Sequence, residues 1–175
     1  MESSPPLAVM KGRQASLKGP DADRIHQQGY VGEMEGGVLT ISDVEILYLL
    51  EQGKIRVSDE GGSERTFEAL LVSMSAEDPD LWLRYLLFSD LRKRGYAVKP
   101  GYGPTLEFRV YERGAAVGKE PAKYLVYGVA EGRSVSLAEL AKISSSAKLS
   151  KKDLVLAVID RQGEITYYDT TEVSL

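Results

Sequence analysis

Apolar residues recur at helical spacing in four stretches of this chain and cluster as strands in most of the rest. In TISDVEILYLLEQGKIRV, Val44, Leu47, Tyr48 and Leu50 follow a Ser42–Glu45 capping box, and Gly53 closes the segment. This predicts a helix followed by the short strand KIRV. RTFEALLVSMSAED predicts a second amphipathic helix. In EDPDLWLRYLLFSDLRKRGY, Pro79 stands where a helix start tolerates proline, and Trp82, Tyr85, Leu86 and Leu91 share one face. Arg92, Lys93 and Arg94 fill the last turn and Gly95 ends it. The pattern then turns to the strands YAVK, TLEFRVYE and KYLVYGVA. A second capping box, Ser136–Glu139, opens the helix SLAELAKISSSAKL, and the strands DLVLAVID and EITYYDTTEV flank the hairpin-like DRQGE.

Up to about residue 35 the chain is glycine-rich and polar with short apolar patches, which suits small strands and turns. Within it, GRQASLKGPDADR reads as an inserted or disordered arm. The whole predicts an α+β (mixed α/β) chain of two small domains, residues 1–77 and 78–175, the second a mixed β-sheet flanked by helices.

Composition narrows the chemistry. At 175 residues, 43% apolar and 27% charged, the chain has the make-up of a globular protein with a sizeable core. No apolar run approaches the ~18 residues that span a bilayer, and MESSPPLAVMKG does not pattern as a signal peptide, so a cytoplasmic location without membrane contact is expected. The absence of cysteine excludes a disulfide framework or thiolate metal site. A single histidine, His26, read as a surface or loop residue, leaves little room for a zinc centre or a Ser-His-Asp device. No metal or cofactor is expected. The net charge of −4 lacks the basic excess of a protein that binds nucleic acid unaided, so any RNA contact must come from a local patch or a basic partner.

The segments DLRKRGYAVKPGYGPTLEFRVY, KYLVYGV, AKLSKKDLVLAVID and GEITYYD resemble, in order, the C-terminal domain of archaeal tRNA-splicing endonucleases. GYVGEMEGGVLTISDVEILYLLEQGKI is similar to the N-terminal domain of the same family, and the resemblance runs over about residues 29 to 170. It implies a nuclease-like fold and metal-independent cleavage of pre-tRNA at bulge-helix-bulge junctions, leaving a 2',3'-cyclic phosphate and a 5'-hydroxyl. That chemistry needs a base for the 2'-hydroxyl, an acid for the departing 5'-oxygen and a cation for the developing charge. The family's Tyr, His and Lys fill these roles. By resemblance the tyrosine falls on Tyr111 and the lysine on Lys152, with Lys148 and Lys151 as RNA-binding neighbours. The histidine position, three residues before Tyr124, is occupied by Pro121. A helix arginine that clamps a flipped base in the family is replaced by Ser145.

Taken singly these residues are ordinary: Tyr111 ends a strand in a chain with ten tyrosines, and LRKRG suits a helix C-terminus complementing its own dipole. The family's acidic loop, which inserts into a basic cleft of an opposing subunit, corresponds to DRQGE with Asp160 and Glu164. Its tail strand, which pairs with a counterpart, corresponds to ITYYDTTEV with Ile165, Tyr167 and Val173. The resemblance thus implies a structural, non-catalytic subunit whose partners are catalytic homologues carrying the full triad and, through the assembly, pre-tRNA. Two rivals stand beside it: an active homomeric enzyme using Tyr111 and Lys152, and a silent RNA- or protein-interaction module.

Overall fold

The computed structural model describes residues 4–102, 106–171, 173 and 175. They form two compact units, residues 1–85 and 86–175, each built on a five-stranded mixed sheet. Among the described residues no helix is long and apolar enough to cross a membrane.

The first unit contains β1 (Leu7–Lys11), β2 (Gln14–Lys18), α1 (Pro20–Gln27), β3 (Glu33–Glu35), β4 (Val38–Ile41), α2 (Asp43–Glu51), β5 (Arg56–Ser58) and α3 (Phe67–Glu77). Its strand order is β3-β4-β2-β1-β5, antiparallel except for β1 beside β5. The stretch expected as an arm is regular structure. Gly12, at φ 61, turns β1 into β2; Ala15 and Leu17 point into the core, and Pro20 opens α1. Ala22 and Ile25 then pack inward, while the His26 ring is half-buried and bonds the Val31 carbonyl at 2.9 Å. The polar surface of this stretch concealed a period-2 strand and one buried helical stripe.

α2 is buried almost all round. Ile46 and Leu49 are as enclosed as Val44, Leu47 and Tyr48, whereas Leu50 is only partly covered. The Glu45 carboxylate accepts the Ser42 N–H at 3.0 Å and also the Gly32 N–H at 2.9 Å, tying the helix start to the residue just before β3. A polar cluster closes the same end. Arg13 and Arg84 each donate to both Asp43 and Asp78, with Arg84–Asp78 at 2.8 Å. Burial alone raises the Asp78 carboxyl, but hydrogen bonds from Arg13 and the Asp80 N–H, with the charge of Arg84, outweigh it and hold it below its ordinary value.

The division between units falls inside α4 (Leu81–Lys93). Trp82, expected on its inner face, is exposed, and Leu81, Tyr85, Leu87, Phe88 and Leu91 form the buried stripe instead. The second unit continues with β6 (Ala97–Pro100), β7 (Glu107–Tyr111), β8 (Tyr124–Ala130), α5 (Leu137–Leu149), β9 (Asp153–Ile159) and β10 (Ile165–Thr170). Its order is β10-β9-β8-β7-β6, with β8 and β9 parallel across the α5 connection. Ile143 and Ala147 of α5 pack on Leu125, Tyr127 and Leu154; Phe88 of α4 meets Phe108, which alternates to the other face. At the start of α5 only half of the expected capping box forms. The Ser136 hydroxyl accepts the Glu139 N–H at 3.1 Å, but the Glu139 carboxylate takes the Tyr127 phenol at 2.9 Å. Burial and that carboxylate push the phenol up to about 12.

The Asp78 cluster gives a signed pH dependence. A depressed folded value contributes stability above the unfolded value near ~3.9 that is lost as pH falls through the folded one. Arg13→Met is expected to cost about 1–2 kcal/mol in denaturant unfolding at pH 7, and that cost should shrink as pH falls below the unfolded carboxylate value. A cost independent of pH would mean that the ion cluster is not its source.

Candidate functional site

Three neighbouring strands end together beside Lys123. Its N–H donates to the Val110 carbonyl at 3.0 Å, and its carbonyl accepts the Asp153 N–H at 2.9 Å. In register, Val110 pairs with Tyr124 and Tyr124 with Asp153. Tyr111, the Pro121–Lys123 segment and Lys152 are therefore neighbours at one end of the sheet, with about 10 Å of backbone separation between the outer two. Tyr111 is 7% exposed.

Lys152 is placed by the way α5 ends. The Lys152 N–H bonds the Ala147 carbonyl at 2.9 Å and the Lys151 N–H the Lys148 carbonyl at 3.1 Å, a Schellman ending. The left-handed position that such an ending requires, usually glycine, is Lys151 at φ 55. The Lys152 ammonium turns back to the Ser150 carbonyl at 3.2 Å and lies 5.7 Å from the centre of the Tyr102 ring. Arg109 approaches the same ring at 5.6 Å. Tyr102, which sequence reasoning missed, thus gathers two cations beside the candidate site. Lys148 and Lys151 are exposed on the last turn of α5 and the residue after its cap, where their charge also complements the helix dipole.

Pro121 is exposed at the mouth of β8 and offers no proton. Two residues on, Lys123 donates to Glu112 at 2.6 Å, and that bond together with Tyr124 raises its ammonium above the ordinary lysine value. Such a group is a poor proton donor near neutral pH. Ser145 is exposed on α5. The arrangement brings a phenol, that of Tyr111, and an ammonium, that of Lys152, to the strand ends, with Pro121 between them.

The residues expected at an interface divide. Glu164 and Val173 are exposed and Ile165 is half-buried. Asp160 organises its own turn, accepting the Gln162 and Glu164 N–H groups at 2.8 and 2.9 Å. Tyr167 faces α4, where its phenol donates to Asp90 at 2.6 Å; burial first and then Asp90 raise it well above the usual tyrosine range. The exposed tyrosine of this strand is its neighbour Tyr168. β10 is an edge strand, and beside it Leu137, Leu140 and Leu156 line a groove of about 430 Å³. Leu137 is 85% exposed, an outlier that an amphipathic helix reading does not mark as functional.

Two family models match this chain: "tRNA intron endonuclease, N-terminal domain" over residues 7–71, and "tRNA intron endonuclease, catalytic C-terminal domain" over residues 81–167. Curated relatives are named tRNA-splicing endonuclease. That of Methanothermobacter thermautotrophicus is 35% identical over 149 residues, covering 84% of this chain and 85% of the relative. That of Pyrococcus furiosus is 35% identical over 146 residues, covering 83% of each. The match to the Methanococcoides burtonii protein, 35% identical over 147 residues, covers 84% of this chain but only 41% of the relative. The chain thus spans less than half the length of that relative.

Lys151 supplies a test of what holds Lys152 in place. Relieving a left-handed lysine by Lys151→Gly is expected to raise the unfolding free energy by about 1 kcal/mol. An unchanged or lowered value would mean that the α5 ending carries no such strain.

Proposed function

We propose that this chain, which belongs to the tRNA intron endonuclease family, acts as a non-catalytic subunit supporting homologous partners that carry a complete acid–base set. The substrate of the assembly is intron-bearing pre-tRNA, cut at bulge-helix-bulge junctions to a 2',3'-cyclic phosphate and a 5'-hydroxyl.

The observation that carries this reading is Pro121 at the point where the strands bring Tyr111 and Lys152 near each other. Loss of a general acid costs ~10²–10⁴ in rate, and Lys123 beside Pro121, raised by its bond to Glu112, is ill suited to replace it. The engagement of Lys152 with Ser150 and Tyr102 supports the same reading, as does the low exposure of Tyr111. For assembly, the free edge of β10, the leucine-lined groove beside it and the exposed Glu164 offer surfaces a partner could cover. We take the functional boundary to lie between residues 77 and 78, ahead of the helix that enters the C-terminal domain.

Cleavage of a bulge-helix-bulge RNA by this chain alone, a His-bearing homologue alone and the two mixed tests the proposal. The mixture is expected to exceed either preparation by at least about 100-fold. Comparable cleavage by this chain alone would favour a homomeric enzyme using Tyr111 and Lys152. A mixture that cleaves no better than the partner alone would favour a silent interaction module.

A further inference from the structure

On the face of the C-terminal sheet opposite α5, a half-open cavity of about 360 Å³ is walled by Tyr96, Tyr124 and Tyr167 and rimmed by Arg94, Arg113 and Asp169. Its side chains are held in advance of any ligand. Arg94 donates to Asp90 at 2.7 Å, the carboxylate oxygen that also accepts the Tyr167 phenol, and its guanidinium lies 5.2 Å from the centre of the Tyr167 ring. Arg113 donates through Nε to the Arg94 carbonyl at 2.8 Å and stacks 4.7 Å from the centre of the Tyr96 ring. Gly95, at φ 92, ends α4 so that Tyr96 turns back beside Arg113. These bonds leave the terminal amino groups of Arg113 and the carboxylate of Asp169 without a hydrogen-bond partner among the described residues, and both side chains are exposed.

Three features therefore converge on one cavity: aromatic faces, a guanidinium fork and a two-oxygen acceptor. A nucleotide supplies the matching ring, phosphate and edge of N–H donors within one unit, whereas a peptide would have to bring them from separate residues. Among the bases, guanine offers two adjacent donors, N1–H and N2–H, that fit the two oxygens of a carboxylate. The cavity also borders the strand ends of the candidate site: Val110 and Tyr124, which line it, directly neighbour Tyr111 and Lys123.

We propose that this cavity binds a single unpaired guanosine nucleotide of an RNA strand, with the base stacked on Tyr124, its N1–H and N2–H donated to Asp169, and its phosphate held by Arg113. The proposal rests on the reading that this chain works in an RNA-processing assembly. It adds a base-specific contact away from the cleavage chemistry, on a subunit that performs none.

Calorimetric titration of the full chain with guanosine, adenosine, cytidine and uridine 5'-monophosphates, and with inorganic phosphate, tests it. Guanosine monophosphate is expected to bind at least about tenfold more tightly than the others. Tyr124→Leu should weaken it about tenfold, within the range for loss of one base–aromatic stack. Asp169→Asn, at an exposed position, should abolish the preference for guanine while leaving adenosine monophosphate binding unchanged. Equal binding of all four nucleotides to the unsubstituted chain, or guanosine monophosphate binding indifferent to Asp169→Asn, overturns the proposal. So does the absence of binding at 10 mM (on the order of the weakest single-contact affinities), which would leave the cavity to a partner's side chain. If the chain supports cleavage by its partner yet ignores guanosine monophosphate, the pocket assignment alone fails. If it binds guanosine monophosphate yet adds nothing to the partner, the subunit reading alone fails.

Discussion

The candidate site depends on the backbone of Lys123. Its two hydrogen bonds, to Val110 on one side and Asp153 on the other, join an antiparallel pair to a parallel pair at the end where three strands terminate. A parallel pair needs a crossover, here α5, and the turn that ends α5 must deliver the chain to Asp153 in register. A slip of one residue would reverse the faces of Tyr111 and Val110 and dissolve both the candidate site and the aromatic cavity opposite it. The backbone therefore keeps these positions together whatever side chains occupy them. Pro121 stands at the mouth of β8 without disturbing the fold.

Helix endings do much of the remaining positioning. α2, α4 and α5 all close with a left-handed residue and the same pair of backbone bonds, at Gly53, Gly95 and Lys151. The following residue is delivered to a defined place each time: Lys54 towards β5, Tyr96 into the cavity wall, Lys152 to the strand ends. Only in α5 does the turn use a residue with a side chain, which adds an exposed charge at some conformational cost. The polar cluster of Arg13, Asp43, Asp78 and Arg84 has a comparable role in the first unit, fixing a hairpin tip, a helix start and the approach to α4 to one another.

The elements with strong local signals were legible in the sequence. Ser42, Glu45 and Gly53 bracket α2 because capping and left-handed endings are local chemistry. The strands of the second unit were equally readable, since apolar side chains cover both faces of β8. What escaped depended on distant partners. Glu139 looked like a capping residue until Tyr127 claimed its carboxylate, and Trp82 looked like core until Leu87 and Phe88 took the inner face. The stretch from Gly12 to Arg24 looked unstructured because its buried positions are few and set among charges. At the site, the family resemblance marked Tyr111, Pro121 and Lys152, but Tyr102 emerged only when the chain leaving β6 folded over Lys152 and Arg109. Tyr167 was expected at an interface by resemblance; strand alternation alone does not reveal that its phenol reaches Asp90.

On the proposed reading, the chain would keep the scaffold of a nuclease site without its proton donor and would serve catalysis by what it presents to partners and RNA. The most direct test is the single-turnover cleavage rate of the mixed assembly when this chain carries Tyr111→Phe and Lys152→Ala together. The account predicts a rate within about twofold of the unsubstituted assembly, because the chemistry belongs to the partner. A fall of about 100-fold or more, the size expected when an acid–base or charge-stabilising group is removed, would contradict it and place this chain's own residues at the scissile phosphate.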